Sequence, residues 1–173
     1  METSLKQKAN QYIEHLHLIA HPEGGYYSSS YQSQETIAAA SLPDRFTGDR
    51  VFSTAIYFLL MGHQYSAFHR IKSDEVWHFY TGSSLNIYVI HSNGSGEILR
   101  LGSELSQGES FQHVVPAGCW FASRPVDTDG FSLVGCTVAP GFDFADFEMA
   151  KQDELLSDYP QHSEWIRKLS AAP

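Results

Sequence analysis

Hydrophobic positions near the start of the chain follow helical spacing. Between positions 5 and 16, apolar residues recur at steps of three and four, namely Leu5, Ala9, Tyr12, Ile13 and Leu16. This spacing lines one face of a helix, and Ser4 is of a type that caps a helix start. We therefore predict an N-terminal helix over residues 4–17, followed by a turn at the Gly24-Gly25 pair.

The middle of the chain has the pattern of short β-strands. Runs rich in β-branched and aromatic residues alternate with polar turns, and we predict strands over residues 26–32, 51–60, 66–71, 75–80, 85–91, 97–101, 111–115, 119–123 and 131–138. The third and fourth runs flank a short polar turn, Lys72-Ser73-Asp74, and are interpreted as a hairpin. Strands of this number and spacing are typical of an all-β sandwich or barrel.

The segments around this β region complete one predicted domain over residues 1–173. Residues 33–50 are polar and irregular, which predicts a long loop that can act as a lid or a dimer arm. Helical spacing returns over 144–157 and 161–169, so we predict C-terminal helices over about 144–170. The sequence contains no repeat and no linker, and the barrel is expected over about 24–142.

Composition narrows the classes of partner. The formal net charge is −9, and no run of five basic residues occurs. An acidic surface repels phosphate backbones and anionic lipids, so neither nucleic acid nor a membrane is an expected partner. The N-terminus has no signal-peptide pattern, and both cysteines, Cys119 and Cys136, lie in apolar runs. We expect a cytoplasmic protein with two buried free thiols.

Candidate chemistry lies first in residues 68–82. Side chains alternate faces along a strand, so four of them can share one face across the predicted hairpin: His69, Ile71, Glu75 and Trp77. His78 is expected to point the other way. An imidazole and a carboxylate on one face suit metal ligation or proton transfer, since both offer lone pairs and accessible pKa values.

A second stretch, residues 108–121, contains a Pro-x-Gly turn between two apolar strands. By the same alternation, three residues after this turn share a face: Cys119, Phe121 and Ser123. Trp77 and Phe121 are equally consistent with pocket walls and with plain core, whereas inert packing is the favoured interpretation of Cys119.

Two further residues are candidates for ligand contact. Tyr57 lies in a buried-looking strand, where it can add a phenol to the site or serve as an ordinary core tyrosine. Glu23 precedes the Gly24-Gly25 turn, where it can reach a ligand or cap a neighbouring backbone amide.

The first stretch resembles the first motif of the cupin superfamily. That motif reads His-x-His, three or four residues, Glu, six residues and Gly. His69, Glu75 and Gly82 match its first His, its Glu and its Gly, and Ile71 replaces its second His.

The second stretch resembles the second cupin motif, which ends in Pro-x-Gly-x-x-His. Pro116 and Gly118 match, and Phe121 replaces the last His. Metal-binding cupins use three His and one Glu, so this resemblance leaves two of the four ligands. Two protein ligands rarely hold a transition metal tightly, and we expect no cofactor.

The chain as a whole resembles the DUF985 branch of the cupins. The matching segments are residues 21–27, 53–57, 69–79, 115–120 and 134–144. The resemblance implies a double-stranded β-helix, also called a jelly-roll barrel, that is commonly a homodimer. It implies no particular activity, because fold alone does not define function.

Three hypotheses for function follow. The first is a metal-independent cupin that binds a small polar, carbohydrate-like molecule, either as an isomerase- or epimerase-like enzyme or as a binder. His69 would be the general base, Glu75 its orienting group or partner acid, and the ligand contacts would come from Tyr57, Trp77, Phe121, Cys119, Ser123 and Glu23. The second is a metal-dependent oxygenase or isomerase with the ligands His69, Glu75 and His78. The third is a non-catalytic ligand sensor.

Overall fold

The structure is a computed structural model that describes residues 4–171. The fold consists mainly of antiparallel β-sheets. The strands in chain order are β1 Ile19–Ala20, β2 Tyr26–Gln32, β3 Thr36–Ile37, β4 Arg50–Val51, β5 Thr54–Met61, β6 Ser66–Arg70, β7 Asp74–Gly82, β8 Leu85–Ile90, β9 Gly96–Leu101, β10 Gln112–Val115, β11 Trp120–Pro125, β12 Phe131–Ala139 and β13 Glu148–Met149. One sheet has the order β1-β2-β5-β12-β7-β10 and the other β13-β6-β11-β8-β9, while β3 and β4 form a separate ribbon.

The main hydrophobic core lies between the two large sheets. Alternation along β8 buries Leu85, Ile87 and Val89, which share one cluster with Phe58 and Trp77 from the six-stranded sheet. Facing sheets bury their alternate side chains in this way because successive residues of a strand point to opposite sides. The predicted all-β class with helices near both ends is confirmed.

Helices cover the outer faces of the sheets. Helix α1, Leu5–His15, begins at a capping box formed by Ser4 and Gln7, and it packs over β5 and β12. Helices α2, Gln152–Asp158, and α3, Ser163–Leu169, pack over the five-stranded sheet. Within residues 4–171, no helix is long and apolar enough to cross a membrane.

The predicted hairpin between residues 66 and 80 is wrong. Strand β6 pairs with β11 and β13, whereas β7 pairs with β12 and β10, so the two strands lie in different sheets. The intervening turn is anchored as a corner: the buried Ser73 hydroxyl donates to the Pro140 carbonyl at 2.8 Å, and the Gly118 amide donates to the Ile71 carbonyl at 2.9 Å. The corner carries the chain across the core, so side chains before and after it face each other.

The C-terminal helical region also begins later than predicted. Residues 144–146 form a short 3-10 turn, Glu148–Met149 is strand β13, and α2 begins only at Gln152. The turn is held by Asp146, whose carboxylate accepts two hydrogen bonds at 2.6 Å from the Arg50 guanidinium, and by Asp143, which caps the Ala145 amide at 2.8 Å. These contacts come from distant parts of the chain or from a local cap, and they override the helical spacing.

Candidate functional site

A cavity lies between the sheets near the corner that joins β6 to β7. Its volume is about 50 Å³, counted as the space open to the centre of a water molecule. Since one water needs roughly 10–15 Å³ by this measure, the cavity has room for a few non-hydrogen atoms. Its walls are mostly aromatic and aliphatic. Its lining includes two histidines and two glutamates, His21, Glu23, His69 and Glu75, beside the hydroxyl-bearing Tyr27 and Thr54.

His69 is buried and bonded at both ring nitrogens. Its Nδ1 lies 2.7 Å from the Ala67 carbonyl oxygen, which can only accept, so Nδ1 carries a hydrogen. Its Nε2 lies 3.0 Å from Oε2 of Glu23. Burial alone would lower the pKa of His69, but the charge of Glu23 and the hydrogen bond to it raise this pKa above the ordinary value. Two acceptors thus face the two ring nitrogens, and this arrangement favours the positively charged ring.

Glu23 is the carboxylate that holds His69. Burial opposes its ionisation, but the His69 charge and hydrogen bonds from His69 and Ser66 lower its pKa below the ordinary value. The Ser66 hydroxyl donates to Oε1 at 2.9 Å, and both carboxylate oxygens are thus engaged. The expected partner of His69 was Glu75, and this assignment is corrected to Glu23.

The glycine turn that follows Glu23 sets its position. Gly24 has φ +111°, and a Cβ at this position would overlap the carbonyl oxygen of Tyr65. Only glycine allows the two backbones to approach this closely in that conformation. The carbonyl of Glu23 then accepts the Ala67 amide at 2.8 Å, which aligns the segment beside β6.

Glu75 enters the same cavity from β7. It is 8% exposed, and its Oε2 has no hydrogen-bond partner in the described part of the chain. The pKa of Glu75 is raised to about 7, chiefly by burial; the positive His69 opposes this rise, the charge of Glu23 adds to it, and hydrogen bonds with Cys136 and Trp77 oppose it. Near neutral pH the carboxyl therefore exists in both protonation states.

Aromatic rings close the cavity around His21. The ring centroids of His21 and Tyr27 lie 4.6 Å apart at 82°, and the Phe147 ring lies 5.3 Å from that of His69. Phe142 also lines the cavity and packs on Phe147. Burial lowers the pKa of His21 below its ordinary value, which favours the neutral ring.

The cavity-lining residues that were not predicted as site residues include His21, Cys136, Phe142 and Phe147. A usable signal existed for Cys136, which faces inward from β12 together with Val138 by strand alternation. His21 belongs to the segment before the glycine turn, but its inward position depends on that turn. Phe142 and Phe147 flank the 3-10 turn, which no local pattern predicted.

Several expected ligand residues lie behind or away from the cavity. Trp77 and Phe121 belong to the core, and the Phe121 ring supports that of His69 at a centroid distance of 4.1 Å. Tyr57 lies on the outer face of the six-stranded sheet, with its ring 5.9 Å from that of Tyr80. Alternation placed Trp77 and Phe121 inward correctly but could not separate core from cavity wall.

Cys119 and Ser123 do not line the cavity either. The Cys119 sulfur lies 3.4 Å from Nδ1 of His91, and burial raises its pKa, which disfavours the reactive thiolate. Ser123 is fully buried, and its hydroxyl has no partner within residues 4–171. Both side chains face the interior of the protein, but neither lines the cavity that contains His69 and Glu75.

The residues around the cavity do not suit a bound metal ion. His78 bonds to Thr137 and Gln112 on the outer face of its sheet, so the alternative ligand set of His69, Glu75 and His78 is wrong. Both nitrogens of His69 are already engaged. Within residues 4–171, no group of three or more His, Cys, Asp or Glu side chains is arranged to hold a metal.

Comparison with known proteins agrees with this architecture. The family model described as "Cupin superfamily (DUF985)" matches residues 10–150. The structure of protein SO0799 from Shewanella oneidensis has 43% sequence identity and a TM-score of 0.85, with 100% of both chains covered. A hypothetical protein from Leishmania major has 33% identity and a TM-score of 0.86, covering 95% of this chain and 99% of its own.

A curated relative gives the same result at the sequence level. The uncharacterized protein YML079W of Saccharomyces cerevisiae is 29% identical over 163 residues, which are 88% of this chain and 79% of the yeast protein. The names of these three proteins state no activity. The family match spans most of the chain, and the expected resemblance is confirmed: the chain belongs to the DUF985 family of the cupin superfamily.

Proposed function

We propose that the cavity binds one end of a small polar molecule, and that Glu75 exchanges a proton with it in a metal-independent, isomerase-like reaction. The observation that carries this proposal is the position of Glu75: its side chain lines the cavity, and within residues 4–171 its Oε2 has no hydrogen-bond partner of good geometry. A buried polar atom without a partner costs about 1–3 kcal/mol. A ligand hydroxyl or C–H acid would give this oxygen the contact that it lacks.

The protonation state of Glu75 suits acid–base work. A catalytic acid or base is most effective when its pKa lies near the working pH, and burial raises the pKa of Glu75 to about 7. As carboxylate it removes a proton from a carbon next to a carbonyl, and the C–H electron pair moves into an enolate. As carboxylic acid it returns the proton to that enolate, so the reaction is redox neutral.

His69 takes a different role from the general base first expected. Both of its nitrogens are bonded, which leaves no lone pair for a substrate. The His69–Glu23 pair is instead a positioning unit, and the positive ring lowers the pKa of Glu75. Without this pair, Glu75 would ionise less readily at neutral pH.

A non-catalytic binding module is the second candidate, because the same enclosed cavity can hold a ligand without turnover. The homodimer and the cytoplasmic location also remain proposals, supported by the family resemblance and by composition. A carbohydrate-like ligand remains part of the proposal with one restriction: only a few of its atoms can enter a cavity of about 50 Å³.

Proton exchange with solvent tests the proposal directly. Hydroxyaldehydes and hydroxyketones of two to six carbons are incubated with the protein in D2O at pH 7, and loss of the α-proton signal is followed by NMR. We expect exchange with at least one compound and a drop of about 100-fold or more in Glu75→Gln, the size typical of a lost general base. Glu14→Gln, which removes an exposed carboxylate on α1, is the matched control.

Two outcomes would contradict this proposal. Equal exchange in the wild type and Glu75→Gln would remove Glu75 from the reaction. Saturable binding of a compound without exchange, with a metabolite found by native mass spectrometry of the untagged protein, would support the binding module instead.

A further inference from the structure

An open cleft lies next to the cavity and shares two lining residues with it. Ile71 and Phe147 line both spaces, so the cleft and the cavity are neighbours across these two side chains. By the same measure as the cavity, the cleft has a volume of about 650 Å³. A ligand that spans both spaces would pass these two side chains and place its larger part in the cleft.

The cleft carries positive charge on an acidic protein. It is lined by Arg45, Arg70 and Lys72, whereas the whole chain has a formal net charge of −9. Of the two lining carboxylates, Asp146 already accepts both bonds of a bidentate pair from a buried arginine. The other, Glu148, accepts a hydrogen bond from Arg70, and Lys72 also lies near Asp146, so the three cations of the lining face two carboxylates. Such a local reversal of sign attracts anions and raises their concentration at the site.

The cationic groups retain unused hydrogen-bond donors. Arg45 uses Nε to donate to the Lys72 carbonyl at 2.7 Å, and Arg70 uses Nε to donate to Glu148 at 2.7 Å. In the described part of the chain, the terminal nitrogens of these two guanidinium groups have no protein partner. The ammonium of Lys72 lies 3.6 Å from the already bonded carboxylate of Asp146. Two guanidinium forks and one ammonium therefore remain available to a ligand.

We propose that this cleft binds the phosphate group of the ligand whose other end reaches Glu75, so that the substrate is a phosphate ester of a small hydroxycarbonyl compound. A phosphate monoester carries close to two negative charges at neutral pH and three acceptor oxygens. The lining of the cleft offers three cations to these oxygens, and guanidinium groups bind phosphate oxygens in pairs. The proposal deepens the proposed function and depends on it for the identity of the reacting end.

Binding of inorganic phosphate and pyrophosphate to the full chain tests the cleft separately from the chemistry. Arg70 lies over the Trp120 ring at 4.4 Å, so an anion that draws on this guanidinium changes tryptophan fluorescence. Isothermal titration calorimetry gives a second measure of binding, which does not depend on the contact between Arg70 and Trp120. We expect saturable binding by the wild type, tighter for pyrophosphate, and little competition from chloride at equal ionic strength.

Charge-removing variants define the site. Arg45→Gln, Arg70→Gln and Lys72→Gln should each weaken phosphate binding about tenfold, the effect of losing one charge-assisted contact. Arg100→Gln is the matched control, because Arg100 is an exposed residue on β9, at the opposite edge of the sheet from β13 and β6. Glu75→Gln should retain phosphate binding. Circular dichroism checks that each variant is folded.

The outcomes separate this inference from the proposed function. Failure of the wild type to bind phosphate saturably, or an equal loss in Arg100→Gln, overturns the cleft even if Glu75 exchanges protons with unphosphorylated compounds. Phosphate binding that depends on the three cations, without any proton exchange, supports the anion site and leaves the chemistry refuted. In the exchange assay, the three charge-removing variants should have a higher KM for a phosphorylated hydroxyketone and a nearly unchanged kcat. This is expected because the phosphate contacts stabilise the bound substrate and the transition state equally.

Discussion

Replacement of Glu75 by glutamine should change how stability depends on pH. Burial raises the pKa of Glu75 from 4.5 to about 7 in the folded protein, and unfolding restores the lower value. Between these pH values the folded chain binds a proton that the unfolded chain has released. Stability falls with rising pH wherever the folded state binds more protons, so this carboxyl destabilises the fold progressively from pH 4.5 to about pH 7.

The size of the effect follows from the same interval. One proton changes the free energy of unfolding by about 1.36 kcal/mol per pH unit, which gives a total loss of about 3 kcal/mol up to the folded pKa of about 7. A glutamine has the same shape and no proton to lose. The variant should therefore gain about 3 kcal/mol over the wild type between pH 4.5 and pH 7, and the difference should be flat at higher pH.

Two neighbouring groups also titrate, with signs that can be worked out. The pKa of His69 is raised in the folded state, so its stabilisation is present below pH 6.5 and is lost as the pH rises through the folded pKa. The pKa of Glu23 is lowered, so its stabilisation is present above pH 4.5 and is lost as the pH falls. Both groups remain in Glu75→Gln, and the difference between variant and wild type isolates Glu75 to first order.

Urea unfolding at half-unit steps from pH 4.5 to pH 8 measures this difference. Glu14→Gln serves again as the control for loss of one surface carboxylate, for which changes of a few tenths of a kcal/mol are typical. Curves for the wild type and Glu75→Gln that run parallel over the whole range would refute the reasoning, since they would mean that Glu75 titrates alike in the folded and unfolded chains.

Three further substitutions test the contacts that shape the site, each by urea unfolding at pH 7. Asp146→Asn should cost about 3 kcal/mol, because Arg50 would lose a bidentate partner in a buried environment; a loss below about 1 kcal/mol would mean that the pair is solvated. Ser66→Ala should cost about 2 kcal/mol by removing a hydrogen bond to the charged Glu23, and the loss should shrink at low pH as that carboxylate becomes protonated. Gly24→Ala should be the most disruptive, because its Cβ would overlap a backbone carbonyl and displace the glutamate beside it; near-wild-type stability would contradict the close approach.

Strand alternation was sufficient to predict most of the fold and the inward faces of β6 and β7. It placed His69 and Glu75 on the core side even though the hairpin that joined them was wrong. The reason is that a corner between two facing sheets and a hairpin within one sheet produce the same inward parity. The register across sheets depends on non-local contacts such as Ser73 with Pro140, which a single sequence does not reveal.

The composition of the cavity wall was harder to predict for the same physical reason. Trp77 and Phe121 have the correct parity, but depth in the core is decided by which strand lies opposite, and this is a tertiary property. The 3-10 turn that brings Phe147 to the cavity is held by a bond from Arg50 to Asp146, 96 positions along the chain. Local spacing in that segment favoured a helix because it carries no record of this contact.

The exchange of carboxylate partners has a chemical consequence. Had His69 paired with Glu75, as alternation suggested, the cavity would present a neutralised ion pair and Glu23 would be the free acid. In the structure Glu23 holds the imidazolium with both oxygens engaged, and its pKa is lowered, while burial raises the pKa of Glu75 to about 7. Two carboxyl groups in one cavity thus have pKa values moved in opposite directions, an arrangement that assigns separate roles to fixed charge and mobile proton. The mobile proton belongs to Glu75, the carboxyl group whose Oε2 has no hydrogen-bond partner within residues 4–171.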